Sequence, residues 1–408
     1  MRSVCHEEPT YGEHEGKSYC VLHLPREGKN PAFNEAFQRK IQKQDFDFRG
    51  VWFPDYLTLS DSHVNTADFS YATFNAPVSL KGPFNNCPSF SWATFCKGAY
   101  FNGAQFGAGA AFRNTTFMAG ANFSEAIFEG RADFSHANFH GEVDFRVATF
   151  NGEAKFEGTT FKEHVRFGGD EQHSVFTATS SLNLGSARIE KLDRVSFDRL
   201  RLCPHWFVNV DARKFAFTDV NWDWPSTEQE IAKLKAKRNS SRSSMLETAC
   251  RRLAVNAEEN HYYEDASELR YLAMEAKRFK HGRGYDFWRL SWWYWLASGY
   301  GERVNLAALV LIEILLLCAV LYTQVGFVRS EPRLTTQSDV ETPKRDEIGA
   351  PIKEFPRALA YSAAVMTFQR PEPRPATIAA HTIVLLETIL GPVQVALLAL
   401  AIRRKFMR

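Results

Sequence analysis

The sequence predicts a chain of three parts: a β solenoid, an α-helical connector and a membrane domain with two spanning helices. Phenylalanine accounts for 34 of the 408 residues and recurs at a regular spacing in the first half of the chain. After Trp224 this spacing stops, and a composition rich in Glu, Lys, Arg, Ala and Leu begins, which favours helices. Two apolar runs of about 25 residues follow near the end, and each is long enough to cross ~30 Å of hydrocarbon.

The phenylalanine spacing is the most specific feature of the chain. Successive phenylalanines lie alternately five and six residues apart, and a small or β-branched residue stands two positions before nearly every one. They occupy positions 90, 95, 101, 106, 112, 117, 123, 128, 134, 139, 145, 150, 156, 161 and 167. A helix cannot place such positions on one face, and an ordinary strand needs a period of two. A coil of short extended segments can, with each Phe and the small residue before it pointing inward and the coils stacked about 4.8 Å apart.

Glycines and charged residues occupy most of the remaining positions. The glycines of the six-residue gaps are at positions 98, 109, 120, 130, 141 and 152, and we expect them at bulges or at corners with positive φ. The stretch 82–88 breaks the spacing and predicts a loop or an irregular coil. Acidic and basic residues are mixed along the outward positions, and the formal net charge is +2, so we interpret this surface as a solvated face and expect no nucleic-acid partner.

Three short segments carry a family resemblance. Ala67–Ser70, Ala121–Ser124 and Ala137–His140 read Ala-Asp-Phe-Ser, Ala-Asn-Phe-Ser and Ala-Asn-Phe-His, and they resemble the pentapeptide-repeat family in its Phe-rich form. The resemblance implies a right-handed quadrilateral β-helix, which we assign to residues 45–225, and it leaves room for a cytosolic protein partner on the β-helix. The sequence contains no phosphate-binding loop, dinucleotide fingerprint, serine-hydrolase elbow or His-Glu-x-x-His motif, so we do not expect an enzyme.

Residues 1–44 precede the repeats and form the predicted N-terminal cap. Cys5, Cys20 and His23 could hold a structural zinc ion, because thiolates and imidazoles are the usual ligands of a tetrahedral zinc site. A fourth ligand would come from a neighbouring histidine. The alternative, which we favour, is that the cysteines are reduced and the histidines lie in polar loops, and then no cofactor is expected.

Residues 226–282 form the predicted connector. Apolar residues at helical spacing predict two helices that meet near residues 260–262 as a hairpin, after a serine-rich interruption at 239–244. We expect this hairpin to couple the solenoid mechanically to the membrane. Residues 283–303 are dense in tryptophan and tyrosine, which is typical of a membrane-interface belt and predicts an amphipathic helix in the plane of the interface.

Residues 304–408 form the predicted membrane domain, with spans at 304–328 and 377–402. Between the spans, residues 355–369 are apolar but too few to cross a bilayer, so they predict a re-entrant helix. Two spans place both termini on one side, and the polar N-terminus and basic C-terminus indicate the cytosol. We expect a multi-pass protein in the lipid bilayer of the bacterial inner membrane.

This plan resembles the pore domain of two-transmembrane potassium channels. Residues 358–362 resemble the start of the pore helix, and residues 386–391 resemble the inner helix with Gly391 as its hinge. Gly299–Arg303 resembles a sequence found where pentapeptide repeats are fused to such pores. The resemblance implies a homo-oligomer, a homotetramer by analogy. The pore and filter region would comprise Ser362, Thr367, Phe368, Gln369 and Arg370.

The filter itself departs from that family. Potassium channels carry glycines there, and their backbone carbonyls replace the water around the ion. Residues 367–374 contain no glycine but two prolines and two arginines. We therefore predict an ion-channel-like membrane protein that is not potassium-selective, with a solenoid that senses or docks. The alternative is a non-conducting membrane-anchored scaffold or interaction protein.

Two acidic residues lie inside the predicted spans, Glu313 in the first and Glu387 in the second. Carboxylates at membrane depth usually face a cavity or a partner. They could brace the re-entrant helix, line an ion pathway, or be packed against protein or the interface without a transport role. We favour bracing.

Overall fold

The computed structural model describes residues 9–59, 67–170, 175–280, 289–328 and 351–406. The chain divides into two compact units, Met1–His261 and Tyr262–Arg408. The first unit contains the β solenoid together with its flanking helices, and the described part of the second unit is mostly helical. The boundary lies inside the segment 226–282, which we predicted as one connector.

A hairpin and a helix precede the first coil. The hairpin pairs Thr10–His14 with Lys17–Cys20 in antiparallel register, and helix α1 spans Asn30–Gln42. The apolar side chains of α1 are buried because Phe33 and Phe37 both contact the ring of Phe53 in the first coil. This packing covers the end of the solenoid, where stacked strands would otherwise be open to solvent.

The solenoid is built from short parallel strands in four main sheets. The seven-stranded sheet contains Trp52–Phe53, Thr73–Phe74, Thr94–Phe95, Thr116–Phe117, Asn138–Phe139, Thr160–Phe161 and Arg188–Ile189. The eight-stranded sheet contains Leu57–Leu59, Val78–Leu80, Ala99–Tyr100, Ala121–Asn122, Val143–Asp144, Val165–Gly168, Val195–Asp198 and Ala216–Thr218. One four-stranded sheet contains Pro83–Phe84, Gln105–Phe106, Ile127–Phe128 and Thr149–Phe150, and the other contains Gly109–Ala111, Arg131–Asp133, Glu153–Lys155 and Ser181–Asn183. Arg201–Leu202 and Asn221–Trp222 form a further parallel pair, and two 3₁₀ turns lie at Leu192–Arg194 and Pro204–Phe207.

The register stacks like residues on like residues. Phe117 pairs with Phe95 in the preceding coil and Phe139 in the following coil, each 22 positions away. The ring centroids of these neighbours are 4.9 and 4.7 Å apart, which is the spacing of adjacent strands. All fifteen phenylalanines from 90 to 167 are at most 2% exposed, and the small residues before them are buried too. The predicted inward ladder is confirmed.

The glycines of the six-residue gaps were predicted to lie at bulges or at corners with positive φ. Of these six, Gly109 alone has a positive φ, so the corner alternative holds for Gly109 and not for the other five. At Gly130, Gly141 and Gly152 a Cβ atom would lie 2.4 to 2.7 Å from backbone atoms of the preceding coil. Glycine is needed there because two coils approach each other closely. The recurrent positive-φ corners fall on other residue types, at Asn114, Glu125, His136 and Val147.

The break at residues 82–88 is also more regular than predicted. Pro83–Phe84 forms a strand that pairs with Gln105–Phe106. The ring of Phe84 is buried and stacks on Phe106 with centroids 5.3 Å apart, so this coil contributes to the ladder.

Two helices follow the last coil in the first unit. Helix α2 spans Trp224–Ala236 and α3 spans Ser240–Glu259. Their first turns are capped by the side chains of Asp223 and Asn239, which accept hydrogen bonds from backbone N–H groups three residues on. The serine-rich stretch after Asn239 was predicted as an interruption but is helical, because that cap starts a new helix directly before it.

The second unit contains five helices in its described part. They are α4 (Tyr263–Lys280), α5 (Leu290–Ser298), α6 (Val304–Tyr322), α7 (Phe355–Met366) and α8 (Ile378–Phe406). By length and composition, α6 and α8 could each cross a membrane. After α6 the chain forms a short strand, Phe327–Val328, which pairs with Arg374–Pro375 before α8. The predicted first span therefore ends in a strand, while the second continues four residues beyond its predicted end.

Candidate functional site: the junction of helices α6, α7 and α8

Helix α7 packs against both long helices of the second unit. Its sequence favours this position because Pro356 starts the helix and small residues form one face. Ala358, Ser362 and Val365, which lie on one face at helical spacing, are buried. The same cluster includes Tyr322 at the end of α6. A short helix is thus held between two helices that are long enough to span a bilayer.

Glu387 lies at the centre of this junction. Its side chain is 1% exposed, and its carboxylate accepts hydrogen bonds from the hydroxyls of Tyr322 and Ser362. The Ser362 hydroxyl also lies 3.1 Å from the carbonyl oxygen of Leu315. Among the described residues no arginine or lysine pairs with this carboxylate. The arrangement ties one residue of each helix to a single acidic group without a cation.

The residues predicted for the filter lie away from Ser362, at the exposed end of α7. Thr367 ends the helix, and its hydroxyl lies 3.0 Å from the carbonyl oxygen of Ala364. Phe368 has a φ of +59° and is 69% exposed, and Gln369 and Arg370 are exposed as well. Of the predicted pore residues, Ser362 is therefore buried in the helix junction, whereas residues 367–370 form an exposed loop.

Glu313 is placed very differently from Glu387. It lies at the middle of α6 and is exposed, beside the exposed side chains of Ile312 and Leu316. No hydrogen bond or ion pair joins its carboxylate to the part of the chain that the structure describes. The two acidic residues that the sequence treats alike therefore have opposite environments, and their roles stay predictions.

Gly391 lies where α7 crosses α8. A Cβ atom at this position would be 2.7 Å from Cγ and 3.2 Å from Cβ of Met366, the last residue of α7. Helix α8 continues through Gly391 and Pro392 without interruption. The glycine thus permits close helix packing, and its predicted role as a hinge stays a prediction.

The N-terminal residues of the predicted zinc site are only partly described, since Cys5 lies outside the described residues. Cys20 Sγ and His23 Nδ1 are 3.1 Å apart, and His23 Nε2 lies 3.0 Å from the carbonyl oxygen of Arg49. Both ring nitrogens therefore have neighbours already. Within the described ranges, no group of three or more His, Cys, Asp or Glu residues could hold a metal ion.

A buried lysine supports the cap beside this pair. Lys29 is 1% exposed, and its ammonium donates to the carbonyl oxygens of Val21, Leu22 and Leu24. Burial lowers the pKa of Lys29 to about 7. The loop after Cys20 is thus held by hydrogen bonds to a buried side chain, and no feature of the sequence predicts this.

Several residues of the second unit were not singled out as site residues from the sequence. Tyr322 carries a hydroxyl at the end of an apolar run, and Gln394 is a polar residue inside one. Gln394 is 3% exposed and donates to the carbonyl oxygens of Ala297 and Ala307, which joins α8 to the ends of α5 and α6. The sequence signal that could have identified them is a single polar residue within or at the end of an apolar run, because such residues usually face other parts of the protein.

Comparison with known families identifies the solenoid. Residues 98–138 and 134–169 match the family model described as pentapeptide repeats (9 copies). These residues form a pentapeptide-repeat domain. The match falls on the most regular coils, where like residues recur every 22 positions. A search of curated proteins and a search of solved structures each found no match.

Proposed function

We propose that this protein is an ion-channel-like membrane protein with a cytosolic pentapeptide-repeat domain that senses a signal or docks a partner. In this proposal α6 and α8 cross the bilayer, α7 is a re-entrant pore helix, and several copies of the chain surround a pore. The solenoid would be a right-handed quadrilateral β-helix, and a tetramer is the assembly implied by the resemblance to potassium channels. Both termini would lie in the cytosol.

The observation that supports this function best is the position of α7. A helix of 12 residues is too short to span a bilayer, yet it is packed against two helices that are long enough. Its middle is held by the hydrogen bond between Ser362 and Glu387, and its last residues lead into the exposed loop 367–370. Non-spanning backbone at membrane depth is tolerated where it is buried in protein or lines a water-filled cavity.

The loop chemistry argues against potassium selectivity. A potassium filter needs a flexible row of backbone carbonyls, whereas residues 367–374 contain no glycine and include Pro371 and Pro373. Arg370 and Arg374 would place two positive charges per copy at the mouth of a pore. We therefore propose a pore that is unselective or tolerant of anions.

Ion flux from liposomes tests this function. The full-length protein is reconstituted, and flux is measured with sets of small cations and anions, for wild type, Arg370→Ala and the control Arg403→Ala. Arg403 is an exposed arginine at the other end of α8, so its replacement removes the same charge far from the loop. Flux with an ion preference that shifts for Arg370→Ala, and not for the control, supports a pore at the loop.

The second candidate function is a non-conducting membrane-anchored scaffold. The absence of glycine from residues 367–374 favours it, because that stretch cannot reproduce the known filter. No flux from any of the variants, with an intact oligomer in the liposomes, would contradict the channel and support the scaffold. A shift in ion preference that is the same for Arg370→Ala and Arg403→Ala would contradict the position of the pore.

A further inference from the structure

The two units are joined by a very short stretch of chain between two helices. Helix α3 ends at Glu259 and α4 begins at Tyr263, and the boundary between the units follows His261. The hairpin helices predicted as one connector thus belong to different units. Any mechanical signal that passes along the chain must pass through residues 260–262.

Two side chains of helix α3, Asn256 and Arg252, bind backbone carbonyl groups at the end of the solenoid. Asn256 is 2% exposed, and its side-chain amide donates to the carbonyl oxygens of Ala212, Arg213 and Phe215, at 3.1, 3.0 and 2.7 Å. Arg252, one turn earlier, donates to the carbonyl oxygen of Val210 at 3.0 Å. Helix α3 is therefore expected to move with the last coil.

A buried carboxylate, Glu302, is one of the groups that hold helix α4 in the second unit, beside contacts such as the hydrogen bond from Tyr300 to Glu275. The side chain of Glu302 is 3% exposed and lies in the turn between α5 and α6. From α4 it accepts hydrogen bonds from Arg270, at 2.9 and 3.2 Å, and from the hydroxyl of Ser267 at 2.9 Å. From the last turns of α8 it accepts one from Arg404 at 3.0 Å. One carboxylate thus joins α4, the start of α6 and the end of α8.

The burial of the Glu302 carboxylate makes its ion pairs a strong connection between α4 and α8. Two partly exposed guanidinium groups, 20% and 31% exposed, share a carboxylate that is only 3% exposed, so the loss of either partner leaves this buried charge incompletely compensated. Arg303, the next residue, pairs with Glu268 at 2.9 Å, but both side chains are at least 31% exposed and water screens that pair. Arg404 also donates to the carbonyl oxygen of Tyr300 at 3.1 Å, which fixes its position.

We propose that Glu302 is a positioning residue that transmits displacement of the solenoid to the cytosolic ends of both candidate spanning helices. Displacement of the last coil moves α3 through Asn256, residues 260–262 pass the movement to α4, and Glu302 passes it to α6 and α8. This inference rests on the proposed function for the statement that α6 and α8 span a membrane. The mechanical link itself does not depend on conduction.

A double-mutant cycle between the two units tests the link in the full-length protein. Hydrogen exchange of the α8 residues 400–406 is measured by mass spectrometry for wild type, Asn256→Ala, Glu302→Gln and the double variant. Asn256→Ala loosens α3, and we expect it to speed exchange at the end of α8 by about two- to tenfold. In the Glu302→Gln background the same change should have a clearly smaller effect, because the buried part of the connection between α4 and α8 is lost while the exposed pairs, such as Lys405–Glu264, remain.

Two further variants keep the test decisive if Glu302→Gln does not fold. Arg404→Ala removes one partner of the carboxylate and should likewise reduce the response of α8 to Asn256→Ala. Arg403→Ala is the matched control, since Arg403 is exposed and makes no hydrogen bond to Glu302, and the response should persist.

Additive effects would overturn the proposal. If Asn256→Ala speeds exchange in α8 equally with and without Glu302 or Arg404, or does not affect α8 at all, Glu302 only stabilises the second unit. A flux measurement in liposomes is kept separate. If no flux is measured but the exchange experiments show the expected coupling, the channel function is contradicted and the mechanical link is still supported.

Discussion

The phenylalanine ladder gives the most quantitative prediction about the solenoid, and Phe123 is its best test position. Its ring is fully buried and stacks between those of Phe101 and Phe145, with centroids 4.8 and 5.1 Å away. The rings of Phe112 and Phe134 meet it edge-on at 5.4 Å. Phe123→Ala removes these four contacts and the two longer ones to Phe117 and Phe128, at 6.1 and 6.3 Å, and leaves a cavity that stacked coils cannot close by a small shift.

The expected loss of stability follows from this geometry. Replacing a buried Phe by Ala costs about 3–5 kcal/mol, since the transfer energy of the ring and the cavity both count. Each coil of a solenoid contacts only its neighbours, so the loss should be greatest in the adjoining coils. One factor of ten in an equilibrium constant is about 1.4 kcal/mol, so protected amides there should exchange roughly 100- to 4000-fold faster.

Hydrogen exchange of the full-length protein in detergent is the assay. The amide of residue 123 donates to Asp144 and that of Phe101 donates to Asn122, so both report on the affected coils. The control is Met118→Ala in the same region, because Met118 is 51% exposed and its loss should change stability by less than about 0.5 kcal/mol. Acceleration below tenfold at these amides for Phe123→Ala, or an equal effect of Met118→Ala, would refute the reasoning.

Three further predictions concern packing, the buried carboxylate and pH. Gly391→Leu should destabilise the second unit by about 1–3 kcal/mol, because the new side chain collides with Met366. Adding Met366→Ala should partly restore the melting temperature in detergent, and no restoration would contradict the contact. Ser362→Ala removes a hydrogen-bond donor from the buried carboxylate of Glu387 and should lower the free energy of unfolding by about 1–3 kcal/mol. An unchanged melting temperature would show that this hydrogen bond does not hold α7 in place. Burial lowers the pKa of His205 from 6.5, so the unfolded state binds the proton first and stability falls as the pH drops from about 6.5 towards the lowered value. Exchange of the amides around His205 should therefore accelerate between about pH 7.5 and 5.5 after correction for intrinsic rates, and His205→Gln should remove that acceleration; persistence in the variant would exclude this histidine as the cause.

The repeat could be predicted from the sequence, because the inward positions of each coil recur at a regular spacing along the chain. A large residue recurring every five or six positions, with a small one two places before it, is compatible with stacked short strands and with few other structures. The two long apolar helices were readable for a similar reason, since length and composition alone decide whether a helix could cross a bilayer. The phenylalanine spacing therefore predicted the strand positions and the inward residues, and the apolar runs predicted both long helices.

The roles of single residues within these elements were not readable in the same way. Glu313 and Glu387 each interrupt an apolar run, but whether a carboxylate is buried depends on which side of its helix meets a neighbour. The glycines of the coils looked like corner residues, while at Gly130 the reason is the backbone of the coil before it. Glu302 was part of a short motif without an assigned role, and its partners come from residues 32 and more than 100 positions away.

The sequence by itself determined the solenoid core and the two candidate spanning helices, because those depend on side chains repeated along the chain. Only the tertiary structure decided which polar residues are buried, which glycines allow close approach, and that α3 and α4 belong to different units. These properties depend on contacts between segments distant in the chain. The pattern of a single segment holds no information about the surface that will pack against it.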